Sequence, residues 1–589
     1  MDPLLRQAEA ARREGNPLAL YDLAQSAIAA GHDAPRLRYL QVLALAQMGD
    51  TAQAEHLYDG FGLGRWDGDE DALALRGRLH KDRALGLAGA ARVQAFRAAS
   101  EAYLRAYQVR RGYFPGVNAG TTTWAAGDHG AARRLARQVL VHPDLNPPGD
   151  FYAAASRAEA LVLLGRAEEA GQTLARAVAS GPVGQGERAS AFRQLDWLCA
   201  SAHLSDVDRQ ALLATIRPAP VITYTGHMFR SGNPAEDRLA AQIRCELQST
   251  GAAVAYGPLA CGSDILVAEA ILERGGELHA VLPFVVADFI EASVRPGGED
   301  WIDRFHACIE RAASVTLATR ANYAGDDGQF SYGAQFAMGL ALLRAAQLAT
   351  AALQLAVWDG RPGHGGTGTA VEVATWRALG RETCIIAPGS IDRGLAQPVR
   401  LPPVHTSTRA VRAIIFSDYQ GYSTFGESEM AAFNHEILGR VATVLDRHGA
   451  GVCARNTWGD AFFAIITEPA EAAEIVLEII DLIGPVRIGA PGKAEGMRIG
   501  LHYGPVFQEV DPVTGRDNFY GSEVTLTARI EPTAIPGQIY TTQAFAAMLA
   551  ASEPDRFVTR YVGRVELAKG HGAAPIYRLE RRRGAEQQT

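Results

Sequence analysis

VRAIIFSDYQGYSTF, residues 411–425, begins as a run of β-branched and aromatic residues that reads as a strand. It carries Asp418 at the strand's end and passes through a Gly421-Tyr422-Ser423 turn into a helix expected over 427–447. A carboxylate so placed can hold a hard cation, while the turn and helix N-terminus behind it offer backbone N–H groups to phosphate oxygens. Further along, GVCARNTWGDAFFAII, residues 451–466, reads as a hairpin with Gly459-Asp460 at its tight connection. Asp460 then faces Asp418 from a neighbouring strand. Two aspartates so placed fit a two-metal site, in which one ion activates a hydroxyl and the other anchors a triphosphate.

Two further segments come in order: RIGLHYGPV (498–506), a central strand, and YGSEVTLTARIE (520–531); beyond them lies LAKGHG (567–572). Taken together over residues 411–580, these motifs resemble the catalytic domain of class III nucleotidyl cyclases. The resemblance implies a ferredoxin-like α+β unit whose active sites form only between two such domains, hence a homodimer with two equivalent sites. It implies that two divalent metal ions (Mg²⁺ or Mn²⁺) are held by Asp418 and Asp460, with the backbone carbonyl of Tyr419 as an extra ligand. It further implies that Gly421, Tyr422, Ser423 and Lys569 hold the triphosphate and that Arg529 stabilises the transition state. Thr525, Arg529, Asn456 and Asn518 would reach each site from the second protomer. Cyclisation builds charge on the α-phosphate and on the leaving pyrophosphate, and cations aimed there lower the barrier.

The sequence departs from the family pattern at three positions. The purine-reading lysine falls on Asn456, its partner aspartate on Asn518, and the ribose-orienting asparagine on Thr525. An amide offers both a donor and an acceptor, so it pairs with the N6/N1 edge of adenine or the O4/N3–H edge of uracil, and base identity stays open. Thr525 keeps a hydroxyl for the ribose. The expected function is a cyclase that forms a 3′,5′-cyclic nucleotide and pyrophosphate from an NTP, ATP being the family's commonest substrate. The alternatives are a uridylate or cytidylate cyclase of an antiphage signalling system, and a catalytically decayed signalling scaffold.

Upstream, residues 217–390 alternate strands and helices: VITYTGH, AAVAYGPLACG, LHAVLPF, SVTLATR, ALQLAVWDG and ETCIIAP are six short apolar strands. That alternation predicts an α/β domain with a doubly wound parallel sheet. The stretch YGPLACGSDILVAEA resembles the SLOG group of Rossmann-like domains, which bind nucleotide-derived ligands; Gly262, Asp264 and Glu269 fall at that group's turn and acidic positions. They form a candidate second ligand site for a nucleotide-like molecule. WDGRPGHGGTGTA (358–370) reads either as a second phosphate-facing loop or as a connector. Residues 391–410 read as a linker and 581–589 as a tail.

Residues 1–216 carry apolar positions at helical spacing in segments broken by Gly, Asp or Pro. ALYDLAQSAIAAGHDAPRLRYLQVLALAQMGDTAQAEHLY and SRAEALVLLGRAEEAGQTLARAVASG resemble tetratricopeptide repeats, whose helix pairs stack because neither helix buries its apolar face alone. GYFPGVNAGTTTWAAGDHG resembles a TRAFs-binding-type segment, though Pro115, Gly116 and Asn118 alone would also suit a turn. A protein partner is expected on these repeats, with a regulatory role.

A chain of 589 residues is too long for one core, and three or four domains are expected. A net charge of −8 with 21% charged residues disfavours a nucleic-acid-coating role. No apolar run is long enough to span a bilayer, and the N-terminal stretch is a charged amphipathic helix without a signal-peptide core, so no membrane role and a cytoplasmic location are expected. Cys199, Cys245, Cys261, Cys308, Cys384 and Cys453 are scattered without a CxxC pair, which argues for reduced core residues rather than zinc or disulfides.

Overall fold

The computed structural model describes all residues except 1–2, 14, 33, 146–149, 324, 326, 362–365, 390, 392–394, 396–407, 490–494 and 583–589. The chain divides into two compact units, the first built mainly from residues up to Pro218 and including Gln347–Thr350, the second from Ala219–Ala346 and Ala351–Arg582. Most of the expected 391–410 linker and of the tail, and the centre of the 358–370 loop, lie outside the described residues.

The first unit is helical. Antiparallel pairs such as Pro17–Ala29 with Pro35–Gln47 and Phe151–Leu163 with Ala167–Ala179 bury Leu and Ala along their shared faces. The turns between helices reuse one device. Gly49 and Gly127 take φ of 80° and 97°, and the aspartate after each accepts from a backbone N–H of the new first turn: Asp50 from Gln53, Asp128 from Ala131. Pro115, Gly116 and Asn118 do not form a turn. They lie inside the helix Tyr113–Ala125, where Pro115 occupies the first turn that tolerates it, and a Cβ at Gly116 would stand 2.9 Å from Tyr107 and Val139.

In the second unit, β1 (Val221–Gly226), β2 (Val254–Gly257), β3 (Glu277–Leu282), β4 (Ser314–Leu317), β5 (Ala352–Val357) and β6 (Thr383–Ile386) form one parallel sheet in the order β4-β3-β2-β1-β5-β6. All six predicted strands are present. The order reverses between β1 and β5.

The remaining strands form a mixed sheet: β7 (Thr408–Gln420), β8 (Val452–Trp458), β9 (Ala461–Ile466), β10 (Gly496–Val510), β11 (Asp517–Tyr520), β12 (Ile539–Thr542), β13 (Phe557–Glu566) and β14 (Ala573–Arg581). Their order is β13-β14-β12-β10-β7-β9-β8, with β11 paired to the far end of β10 and only β10 and β12 running parallel. One face is covered by the helix Pro469–Ile483 and by the helical stretch from Glu427, which continues to Arg447 through a π turn at Asn434–Leu438. Alternation along β7 sends Ala413, Ile415, Ser417 and Tyr419 to one face and Ile414, Phe416 and Asp418 to the other.

The two sheets of this unit are joined by their helices. From the helix Gly328–Gln347, the Tyr332 hydroxyl donates to the carbonyl of Tyr503 on β10 at 2.6 Å. The same helix passes so close to the helix Gln543–Ser552 that a Cβ at Gly339 would stand 2.3 Å from the Ala547 carbonyl oxygen. Beyond β4, the Thr319 hydroxyl donates to Glu523.

Cys199, Cys261 and Cys308 are buried, whereas Cys245 and Cys453 are exposed and Cys384 is half-buried, so only half of the six belong to a core. All are free thiols. Among the described residues, no helix is long and apolar enough to cross a membrane.

Candidate active site

The site starts from the pairing of β7 with β10 and β9. Asp418 lies two residues before the end of β7, directly opposite Arg498 in the antiparallel register. Asp460 sits in the two-residue turn joining β8 to β9, and Gly459 before it takes a φ of 60° that favours glycine. This turn delivers the Asp460 carboxyl next to Asp418. Burial first, and then the charge of Asp418, push Asp460 above the usual aspartate range, with Arg498 opposing. Two facing carboxylates repel each other unless a cation lies between or beside them. This donor set, hard oxygens at close range, suits divalent magnesium or manganese.

Arg498 supplies part of the balancing charge. Its guanidinium donates to Asp418 and reaches Glu531, whose Oε1 lies 3.0 Å from Arg498 Nε. Burial pushes the Glu531 carboxyl up to about 7, against the pull of Arg498.

Behind Asp418, Tyr419 is buried, its ring 5.0 Å from that of Phe433, so only its backbone is available as a ligand. Gly421 ends the strand at φ 104°, and the single 3₁₀ turn Tyr422–Thr424 comes next, with the Thr424 hydroxyl donating to the Gly421 carbonyl at 2.8 Å. Tyr422 packs on Phe425 and Phe433, which fixes the turn, while Ser423 is exposed.

Thr525 and Arg529 lie four residues apart on the helix Ser522–Ile530 and therefore share a face. Thr525 is exposed and donates to the Gly521 carbonyl at 3.3 Å. Arg529 is half-buried, and among the described residues its buried Nε has no hydrogen-bond partner. Glu523, on the same helix, is buried and holds His502 Nε2 at 3.0 Å besides accepting from Thr319. Burial works to raise the Glu523 carboxyl, but His502 and Thr319 together hold it below its ordinary value.

Asn456 is exposed on β8, its side-chain oxygen accepting from the Thr457 N–H at 2.9 Å. Asn518 is exposed on β11; its oxygen accepts from the Phe519 N–H at 2.9 Å, and its Nδ2 donates to Asp511 at 3.2 Å. Lys569 is exposed in the β13–β14 connection at φ 61°, a left-handed conformation unusual for a side-chain-bearing residue. Among the described residues, no hydrogen bond or ion pair joins the Asp418–Asp460 pair to Asn456, Asn518, Thr525, Arg529 or Lys569.

At the second candidate site the structure keeps Gly262 and Asp264 together but not Glu269. Gly262, at φ 92°, abuts the ring of Phe229, and Asp264 is buried in the first turn of the helix Ser263–Glu273 with Oδ1 unpartnered. Burial, and after it Glu372, push the Asp264 carboxyl well up. Glu269 lies five residues on, well around the helix from Asp264. It is engaged by both Arg304 Nε, at 2.7 Å, and Nη2, at 2.6 Å, in an ion pair that also includes Glu236.

Sequence reading missed Arg498, Glu531, Glu523 and Asp511. Arg498 stands inside RIGLHYGPV, yet its partner is 80 residues away and is set by strand register, which no local pattern reveals.

Comparison with known proteins agrees with this architecture. Residues 17–123 match the family described as Tetratricopeptide Repeats-Sensor, and residues 405–581 match the Adenylate and Guanylate cyclase catalytic domain. Guanylate cyclase beta of Plasmodium falciparum (isolate 3D7) is 28% identical over 158 residues, covering 24% of this chain and 5% of that protein. Receptor-type guanylate cyclase gcy-10 of Caenorhabditis elegans is 28% identical over 204 residues, covering 33% of this chain and 19% of that protein. The chain therefore spans only a small part of these curated relatives. Among solved structures, the guanylate cyclase domain of RhGC from Catenaria anguillulae in complex with GTP is 23% identical, with a TM-score of 0.27 over 30% of this chain and 100% of that one. The adenylyl cyclase CyaB from P. aeruginosa is 14% identical, with a TM-score of 0.26 over 30% of this chain and 98% of that one.

Proposed function

We propose, from the premise that residues 405–581 are an adenylate and guanylate cyclase catalytic domain of the phosphorus-oxygen lyase class, that this protein converts an NTP to a 3′,5′-cyclic nucleotide and pyrophosphate. The Asp418–Asp460 pair carries the reading: one carboxylate from the end of β7 and one from the β8–β9 turn, held close enough that the charge of Asp418 adds to burial in raising Asp460. When bound there, two divalent ions would supply the Lewis acidity that activates the ribose 3′-hydroxyl and would balance triphosphate charge. Asp418, Asp460 and the Tyr419 carbonyl hold that charge in place. The Gly421–Ser423 turn and Lys569 bind the triphosphate, and Thr525 orients the ribose. Arg529, with an Nε that finds no partner among the described residues, meets the charge developing on the phosphates.

Each site takes its aspartates from one protomer and Asn456, Asn518, Thr525 and Arg529 from a second copy. The helical repeats take a protein partner, and the middle domain takes a nucleotide-like ligand at the β1/β5 switch point, where Asp264 is buried beside β1. The repeats and the middle domain regulate the cyclase.

ATP is the favoured substrate on the family's habit. Each base-facing amide accepts one neighbouring N–H on its oxygen and keeps a second lone pair there, so each offers donor and acceptor alike to a purine or a pyrimidine edge.

The test is to incubate the purified full chain with ATP, GTP, CTP or UTP and Mn²⁺ and to identify products by mass spectrometry. A cyclic product identifies both reaction and base. Absence of cyclic product from all four, with protein shown to be folded, would leave the scaffold reading.

A further inference from the structure

Arg498 is placed between two carboxylates that belong to different parts of the catalytic machinery. On one side it donates to Asp418, across a strand register that puts the two residues face to face. On the other side its Nε lies 3.0 Å from Glu531, the first residue after the helix that carries Thr525 and Arg529. Only about a fifth of the Arg498 side chain is exposed, and 12% of Glu531, so both groups are largely shielded from water. The contact with Glu531 is close but misaligned: Arg498 Nε and Glu531 Oε1 both remain without a proper hydrogen bond. Glu531 thus has acceptor capacity that this arrangement leaves unused.

A guanidinium on a metal-ligating carboxylate and a divalent ion on that same carboxylate are competing cations. We propose that Arg498 is a positioning residue that holds Asp418 in the metal-free chain and is transferred to Glu531 when a divalent cation takes Asp418. Arg498 keeps the aspartate pair from repelling itself apart, and Glu531 makes its displacement inexpensive because the charge moves to a waiting partner rather than to solvent. The transfer also pulls on the end of the Arg529 helix, so cation binding at one site is felt by the arginine that serves the other. The inference rests on the proposed role of Asp418 as a metal ligand.

Binding of Mn²⁺ alone to the full-length, nucleotide-free protein tests it, with the free ion followed by its EPR signal. Removing the competitor in Arg498→Gln tightens Mn²⁺ binding, by roughly fivefold for a partly exposed charge pair. Removing the receiver in Glu531→Gln weakens binding by a similar factor in the Arg498 background but leaves it nearly unchanged in the Arg498→Gln background. A purely through-space effect of Glu531 would persist in both backgrounds. A merely structural Arg498 would make Arg498→Gln bind more weakly, and that result, or equal effects of Glu531→Gln in both backgrounds, overturns the proposal. Arg498→Met, which keeps the aliphatic stem, replaces Arg498→Gln should the latter not fold. Asp418→Asn separates the two levels. If it leaves Mn²⁺ binding intact, the metal reading itself fails; if it abolishes binding while Arg498→Gln does not tighten it, only the present inference fails.

Discussion

Two inactive chains, one with Asp418→Ala and one with Arg529→Ala, are expected to regain activity when mixed. The first change removes one of the paired carboxylates. The second removes a guanidinium whose Nε has no partner among the described residues, so its stability should stay within about 0.5 kcal/mol of the parent while turnover falls roughly 10²- to 10³-fold. If each site draws its aspartates from one protomer and its arginine from the other, a heterodimer concentrates both lesions in one site and leaves the other intact. Random re-association of equal amounts makes half of all dimers heterodimers, so roughly a quarter of parental activity returns per total protein. The assay is cyclic nucleotide formation after co-incubation, with subunit exchange followed by energy transfer between labelled chains. Exchange without recovery would refute the shared-site geometry. Full activity of either single variant would refute the corresponding residue's role.

Three further outcomes are expected. Glu159, buried in the helical unit against Gln194, has its carboxyl pushed up to about 7 by burial, so its folded-state pKa exceeds the ordinary 4.5. The native state then binds more protons than the unfolded chain between those values, and stability falls as pH rises from about 4.5 to 7; Glu159→Gln should remove that loss, gaining on the order of 2–3 kcal/mol at pH 8 and little at pH 4.5 in urea titrations. Thr319→Val, which strips a hydroxyl from buried Glu523, should destabilise the second unit by about 2 kcal/mol in the same assay. Asp511→Ala releases the Asn518 amide that it holds at 3.2 Å and should raise KM for the preferred NTP roughly fivefold with kcat little changed, as read in steady-state kinetics.

What the sequence disclosed and what it concealed divide along a physical line. Periodicity exposed the helical repeats and all six parallel strands, because each element buries a face of its own. Asp418 and Asp460 were readable because each sits in a contiguous strand-turn context. Arg498 and Glu531 were not: the first acquires its meaning from a register between segments far apart in the chain, the second from its place just past a helix end, and neither leaves a local signature. Glu269 was assigned to the second candidate site by the SLOG resemblance, and its ion pair with Arg304, set by a helix 35 residues further on, leaves no local signature. Pro115, Gly116 and Asn118 have turn chemistry as residue types. The first turn of a helix accepts such a proline, and the ring of Tyr107 calls for such a glycine.

The close passage at Gly339 sets the limits of recombination for this chain. A helix able to lie against the Ala547 carbonyl must offer a residue without a side chain at that point. Grafting a different domain onto residues 405–581 would therefore bring a bulkier residue against the backbone there unless it supplied the same glycine. The segment suited to exchange as a cassette is then Ala219–Arg582 taken whole, with the parallel sheet travelling alongside the catalytic one.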